Sequence, residues 1–160
     1  MAVRAADREA VRGLYAFRCG YCGVFETDTG AHLTIDHFQP VAKGGMDAPD
    51  NLVYCCHTCN EFKGDWWNPG NERRILHPLN DTLTEHVATG DDGTMSGLTP
   101  TGVFHIARLR LNRAPLVTHR AQRRVAARNL ARENDAVNRL NRLEAHVERL
   151  QNEVEELRGR

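Results

Sequence analysis

At 160 residues, with 41% hydrophobic content and 21 basic side chains against 21 acidic, the chain has room for one compact domain and an extension, and its zero net charge excludes a uniformly basic protein. No apolar run approaches the ~20 residues that span a bilayer, and MAVRAADREAVRGLYAF lacks the continuous apolar stretch of an export signal. No membrane partner is therefore expected, the expected setting is a reducing cytoplasm, and five cysteines there point to metal before disulfides.

Residues 5–17 place Val11, Leu14, Tyr15 and Phe17 between charges, which predicts a short amphipathic helix. CGYCG follows as a glycine-flanked turn. Leu33, Ile35 and Phe38 bracket Asp36-His37 with the alternation of a strand, and VAKGGMDAPDN is a loop by its Gly, Pro, Asp and Asn content. LVY reads as a second strand, and HTCNEFKGDWW as the start of a helix. HVATGDDGTMSGL predicts a hairpin turning at DDG. Thr99 before Pro100 is an N-cap followed by proline in the first helical position, opening a helix to about Leu111. Pro115 opens another, and with no Gly or Pro before Gly159 it predicts one helix of roughly 40 residues. The chain divides on this reading into 1–72, 73–114 and 115–160, with no internal repeat.

Cys19 and Cys22 form one C-x2-C pair and Cys56 and Cys59 a second, 33 residues on. Each such turn presents two sulfurs and backbone amides to one side, so two of them converge on a tetrahedral ion, and four thiolates favour structural Zn²⁺. Cys55 pairs less well with Cys59 and is expected to pack as a small apolar group. His57, inside the second turn, is not expected to replace a sulfur.

A zinc scaffold alone has no need for Asp36-His37. Asp36-His37, Pro40, Gly44-Gly45, Asn51-Leu52 and Cys59-Asn60-x-x-Lys63, in that order and spacing, resemble the HNH endonuclease family over roughly residues 19–64. Segment 75–113 is similar, more loosely, to a tail found in some bacterial HNH proteins. The resemblance implies a ββα-metal finger, two strands and a helix holding one divalent ion, within an α+β chain that adds further helices and a long C-terminal helix. It also implies hydrolysis of DNA phosphodiesters to 5′-phosphate and 3′-hydroxyl ends. His37 would be the general base, suited to it because imidazole titrates near neutral pH. Asp36 and Asn60 would offer hard oxygen atoms to a catalytic Mg²⁺ or Mn²⁺. Asn60 stands where the family name has its last histidine, an H-N-N variant. By the same resemblance Asn51 braces the loop and orients His37, Lys63 meets a phosphate, and a bend at the strand end brings Asp36 and His37 to one site. His32, His77, His86 and His105 have no motif partner and read as structural or surface residues.

Eight arginines and no acid lie between Arg108 and Arg132. On a helix from Pro115, Arg120, Arg124 and Arg128 recur every four residues with Arg123 beside them, one basic face fit for DNA phosphates. Beyond it, Leu140, Leu143, Val147, Leu150, Val154 and Leu157 alternate three- and four-residue spacings, about two and a half heptads. In that register Arg139 faces Glu144, and Glu153 faces Arg158, of a parallel partner, which predicts a homodimer through a coiled coil, with packing back onto the same subunit as the rival arrangement for so short a repeat. Two readings compete with the DNA nuclease: a non-catalytic zinc module that binds nucleic acid, and an RNA-cleaving version of the same site.

Overall fold

The computed structural model describes residues 5–70 and 72–159, with the side chains of residues 5 and 6 left aside. The reading of the first residues as no export signal falls partly on residues 1–4, outside those described.

The chain forms two units, 1–119 and 120–160. The first opens with α1 (Ala5–Leu14). This helix stops three residues short of the expected end because Ala16 and Phe17 turn left-handed, with φ of 48° and 59°. Phe17 is consequently surface-exposed and carries the Arg12 guanidinium 4.7 Å above its ring. Val11 and Tyr15 point into the core instead. A short helix, α2 (Glu26–Thr29), follows, and Arg12 holds Glu26 with two 2.7 Å hydrogen bonds.

Strand β1 (Thr34–His37) then pairs antiparallel with β2 (Leu52–Cys55), in the register Thr34↔Cys55 to His37↔Leu52. All four residues of β2 are buried, as expected of a strand covered on both faces, with α1 packed against it. Helix α3 (His57–Lys63) completes the two-strand, one-helix unit and packs on β1.

Beyond it lie α4 (Leu83–His86), a hairpin of β3 (Val87–Thr89) and β4 (Met95–Gly97), and α5 (Pro100–Arg108). The hairpin turns at Gly90–Thr94 as read from DDG, and Thr99 Oγ1 accepts the Gly102 amide at 3.1 Å to cap α5. Gly102 has to be glycine: a Cβ there would lie 1.9 Å from the His86 carbonyl oxygen. Ile75, Leu76, Ile106, Leu109 and Leu111 enter the same core as Val11, Leu52 and Tyr54, so this segment shares the hydrophobic centre of the finger. His105 is fully buried, and its Nδ1 accepts the Leu76 amide at 3.1 Å.

Helix α6 runs Ala114–Arg158, one residue ahead of the expected start. Leu116, in its first turns, closes the core of the first unit, and His119 meets Asp28 at 3.1 Å. The second unit is the rest of this helix. Its Leu140, Leu143, Val147, Leu150, Val154 and Leu157 are all exposed. No described helix is long and apolar enough to cross a membrane.

Candidate active site and metal centre

The sulfurs of Cys19, Cys22, Cys56 and Cys59 lie within 4.8 Å of one another. Local chain geometry gathers them. The Cys22 amide donates to Cys19 Sγ at 3.4 Å, and the Cys59 amide to Cys56 Sγ, the N-cap of α3, at the same distance. A tetrahedral zinc about 2.3 Å from each sulfur places the sulfurs about 3.8 Å apart, and Cys22 Sγ and Cys56 Sγ are 3.8 Å apart. The donor set therefore fits zinc.

The four thiols differ in acidity: hydrogen bonds from Cys19, Cys22 and Cys59 push the Cys56 thiol down, the neighbouring thiols push Cys59 up, and burial pushes Cys19 up. Cys55 stands outside the cluster, buried at the end of β2, where burial pushes its thiol up. His57 is on the surface, 3.3 Å from Glu61. Arg113, from the segment after α5, reaches the centre: its Nη2 lies 3.7 Å from Cys59 Sγ. Four thiolates around Zn²⁺ leave a net negative charge, and this guanidinium offsets part of it.

Asp36 and His37 are consecutive on β1, the ladder is regular through both, and the chain bends at Phe38 and Gln39 just past the strand end. Asp36 is buried, accepting from the Tyr21 hydroxyl at 2.6 Å and from Lys63 Nζ at 3.0 Å. Burial raises its carboxyl above the usual range, against the pull of the Lys63 charge and the Tyr21 hydrogen bond.

Lys63, expected at a phosphate, is 1% exposed. Its ammonium points inward to Asp36, to the His37 carbonyl at 2.8 Å and to the Gly64 carbonyl at 3.4 Å. The physical reason is the buried carboxylate, which needs a counter-charge that only a long, flexible cation at the end of α3 delivers.

His37 is half-buried, and its Nε2 is 2.5 Å from Asp47 Oδ1. Asn51 does not touch His37 directly. Its Oδ1 accepts the Gln39 amide at 2.8 Å, while its Nδ2 donates to the Gln39 carbonyl at 3.1 Å and the Met46 carbonyl at 2.9 Å. This clamps the loop that leads straight into Asp47. Gly45 sits inside the clamp, where a Cβ would lie 1.8 Å from the Gln39 carbonyl oxygen. Lys43 Nζ ties the same loop to the Asp65 carbonyl at 2.6 Å.

Asp36, His37 and Asn60 line one open cleft of about 370 Å³, with Ile35, Pro40, Val41, Gly64 and Asp65. The oxygen-bearing side chains of this lining are Asp36, Asn60 and Asp65, and a divalent cation held by Asp36 and Asn60 would share the Asp36 carboxylate with Tyr21 and Lys63. Mg²⁺ commonly uses one or two protein oxygens and completes its shell with water.

Of the eight arginines between Arg108 and Arg132, three serve packing. Arg108 donates to the Lys63 carbonyl at 2.9 Å and lies 5.3 Å over Trp66, Arg110 lies 4.7 Å over Phe62, and Arg113 reaches Cys59. Arg120, Arg123, Arg124 and Arg128 all fall on α6. His77, read as structural, donates from Nε2 to the Asp50 carbonyl at 3.1 Å, and its Nδ1 accepts the Leu79 and Asn80 amides.

Sequence reasoning missed Tyr21, Asp47 and Arg113. Tyr21 between the first two cysteines and Asp47 after Gly44-Gly45-Met46 sit inside the motif frame, and that placement was the available signal. Arg113 carried none, because its target is 54 positions away.

Residues 19–65 match the family model for HNH endonucleases. No curated protein and no solved structure matches the chain. The match covers the segment that holds both cysteine pairs and the cleft residues, and it indicates a nuclease-type or nucleic-acid-binding function.

Proposed function

We propose that the protein is a metal-dependent endonuclease that hydrolyses DNA phosphodiesters at the cleft lined by Asp36, His37 and Asn60. One observation carries the reading: Asp36, His37 and Asn60 line one open concavity within the segment that matches the HNH model. Nothing about a structural zinc site calls for that trio.

His37 is the general base. With a carboxylate as its acceptor, Nε2 carries the ring proton toward Asp47, and Nδ1 keeps the lone pair that takes a proton from water. The oxygen of that water bonds to phosphorus, the P–O3′ bond breaks, and the 3′ oxygen leaves to be protonated, giving 5′-phosphate and 3′-hydroxyl ends. Asp47 is a positioning residue, and Asn51 holds the loop that carries it. Asp36 and Asn60 hold the Mg²⁺ or Mn²⁺ ion, which when bound supplies positive charge to the phosphate oxygens. Lys63 opposes the burial that raises the Asp36 carboxyl, and the four cysteines hold structural zinc.

The arginines of α6 form the DNA-docking face, and the exposed heptad residues from Leu140 to Leu157 pair with a second copy. The non-catalytic alternative has one observation behind it: both oxygens of Asp36 already accept hydrogen bonds.

Plasmid DNA incubated with the zinc-loaded protein and Mg²⁺ or Mn²⁺ separates the readings. The wild type should cut, and His37→Ala should lose roughly 10²–10⁴-fold in rate. Equal cutting by both proteins would end the mechanism, and cutting by neither would favour the binding module. An RNA substrate in parallel decides the nucleic acid.

A further inference from the structure

A second concavity opens where the walls of the cleft continue. On one wall His37 lines the cleft, and the next residue, Phe38, lines the second space. On the other wall Asp65 lines the cleft, and Trp66 and Trp67 line the second space. Consecutive Cα atoms are about 3.8 Å apart, so each wall passes from one space to the other within a single residue step.

The chamber has a volume of about 140 Å³ and is faced mainly by rings. Phe38 meets Trp67 edge-on at 5.6 Å and His77 edge-on at 4.5 Å. Trp66 is supported from behind by Phe104 at 5.3 Å and by the Arg108 guanidinium at 5.3 Å. Arg74 and Asp81 complete the lining as a two-pronged pair, at 2.7 and 2.8 Å, and Asp81 also accepts the His77 amide at 2.7 Å. The walls are thus held in place before anything binds.

We propose that this chamber binds one unstacked pyrimidine base of the strand being cut, adjacent to the scissile phosphate. The proposal rests on the nuclease reading of the cleft. Size selects the class of ligand. An apolar cavity of about 150 Å³ accepts one benzene ring, whereas sites for drug-sized molecules run to roughly 300–1,000 Å³. A six-membered base fits; a purine or a base with its sugar overfills the space.

Chemistry agrees with size. Every base has a π-face, and stacking on aromatic side chains is the general way proteins hold unpaired bases. A phosphate is the wrong occupant, because the Arg74 fork is already taken by Asp81. The π-faces of the lining rings, rather than the buried indole N–H of Trp66, are what the chamber offers a base.

The chain has two tryptophans, and both line this chamber, so intrinsic fluorescence reports on it directly. The zinc-loaded full chain, without other divalent ions, is titrated with oligothymidylate, oligocytidylate and oligoadenylate of about eight nucleotides, long enough for one binding site. Labelled strands give affinity by anisotropy. Both pyrimidine strands should quench the tryptophans while oligoadenylate binds with little quenching. Trp67→Ala should weaken oligothymidylate about tenfold and oligoadenylate hardly at all, and Trp67→Phe, which keeps a stacking ring, should hold most of the affinity.

Binding of oligothymidylate without quenching, equal quenching by oligoadenylate, or equal affinity in Trp67→Ala would each overturn the proposal. So would a failure of every strand to bind. Plasmid cutting in the same preparation tells the two ideas apart. Cutting without quenching removes the base site and leaves the nuclease; quenching by pyrimidine strands without cutting supports the base site and removes the catalytic reading.

Discussion

Replacing Lys63 with Met removes the counter-charge of a buried carboxylate and leaves the neighbouring volume filled. In the wild type the ammonium is 1% exposed and meets Asp36 Oδ1 at 3.0 Å and the His37 carbonyl at 2.8 Å. Breaking a buried ion pair from one side costs about 3–5 kcal/mol, because the surviving charge is left uncompensated. Tyr21 still donates to Asp36 in the variant, which argues for the lower half of that range. A loss of roughly 3–4 kcal/mol corresponds to a fall of about 10–15 °C in the melting temperature of a domain this size.

The sign with pH follows from Asp36. Burial already raises its folded pKa above the unfolded value, and losing Lys63 raises it further. A carboxyl raised in this way contributes stability fully at low pH, and that contribution fades as pH rises through the folded pKa. Lys63→Met should therefore be most unstable relative to wild type above neutrality and recover toward pH 5. Urea unfolding of zinc-loaded protein at pH 5 and pH 8 measures both effects, and adding Asp36→Asn should rescue much of the loss at pH 8. A loss below about 1 kcal/mol, the range of an exposed pair, or a deficit that grows as pH falls, would refute the buried-pair argument.

Chelating the zinc should unfold the first unit, since structural zinc in small fingers contributes about 10–16 kcal/mol, as much as a whole domain's net stability. Circular dichroism before and after chelation, and with Cys56→Ser, reads this out, and an unchanged melting temperature would contradict it. Asn51→Ala removes all three bonds of the loop clamp and should slow cleavage at least tenfold while leaving helix content intact. His105, pushed down to about 4 by burial, is neutral in the folded protein. The unfolded chain takes up its proton first, so stability is full above pH 6.5 and should decline by roughly 3 kcal/mol as pH falls toward 4. His105→Asn, which keeps an acceptor for the Leu76 amide, should show a shallower decline in urea titrations.

Local chemistry was legible in the sequence and distant pairing was not. The cysteine pairs, the Thr99 cap and the DDG turn are set by residues within a few positions of one another, and each forms where the spacing places it. Lys63 was misplaced because a lysine late in a short helix normally faces water. Only the fold, which brings Asp36 from 27 positions away, turns it inward. The same blindness affected the arginine run: Arg108, Arg110 and Arg113 look identical to their neighbours on α6 until Trp66, Phe62 and Cys59 are placed against them. Asp47 read as a loop acid, since the partner that gives it meaning lies across a turn held shut by Asn51.

The His77–Asp50 link and the reach of Arg113 to Cys59 bear on any attempt to treat 19–65 as a transplantable cassette. Excised, that stretch would expose the hydrophobic side that Ile75, Leu76, Leu109 and Leu111 cover, and its metal cage would lose its only cationic neighbour among the described contacts. Shuffling this finger between proteins would succeed only where the recipient carries a matching lid, so its inheritance should follow the later segment as one piece.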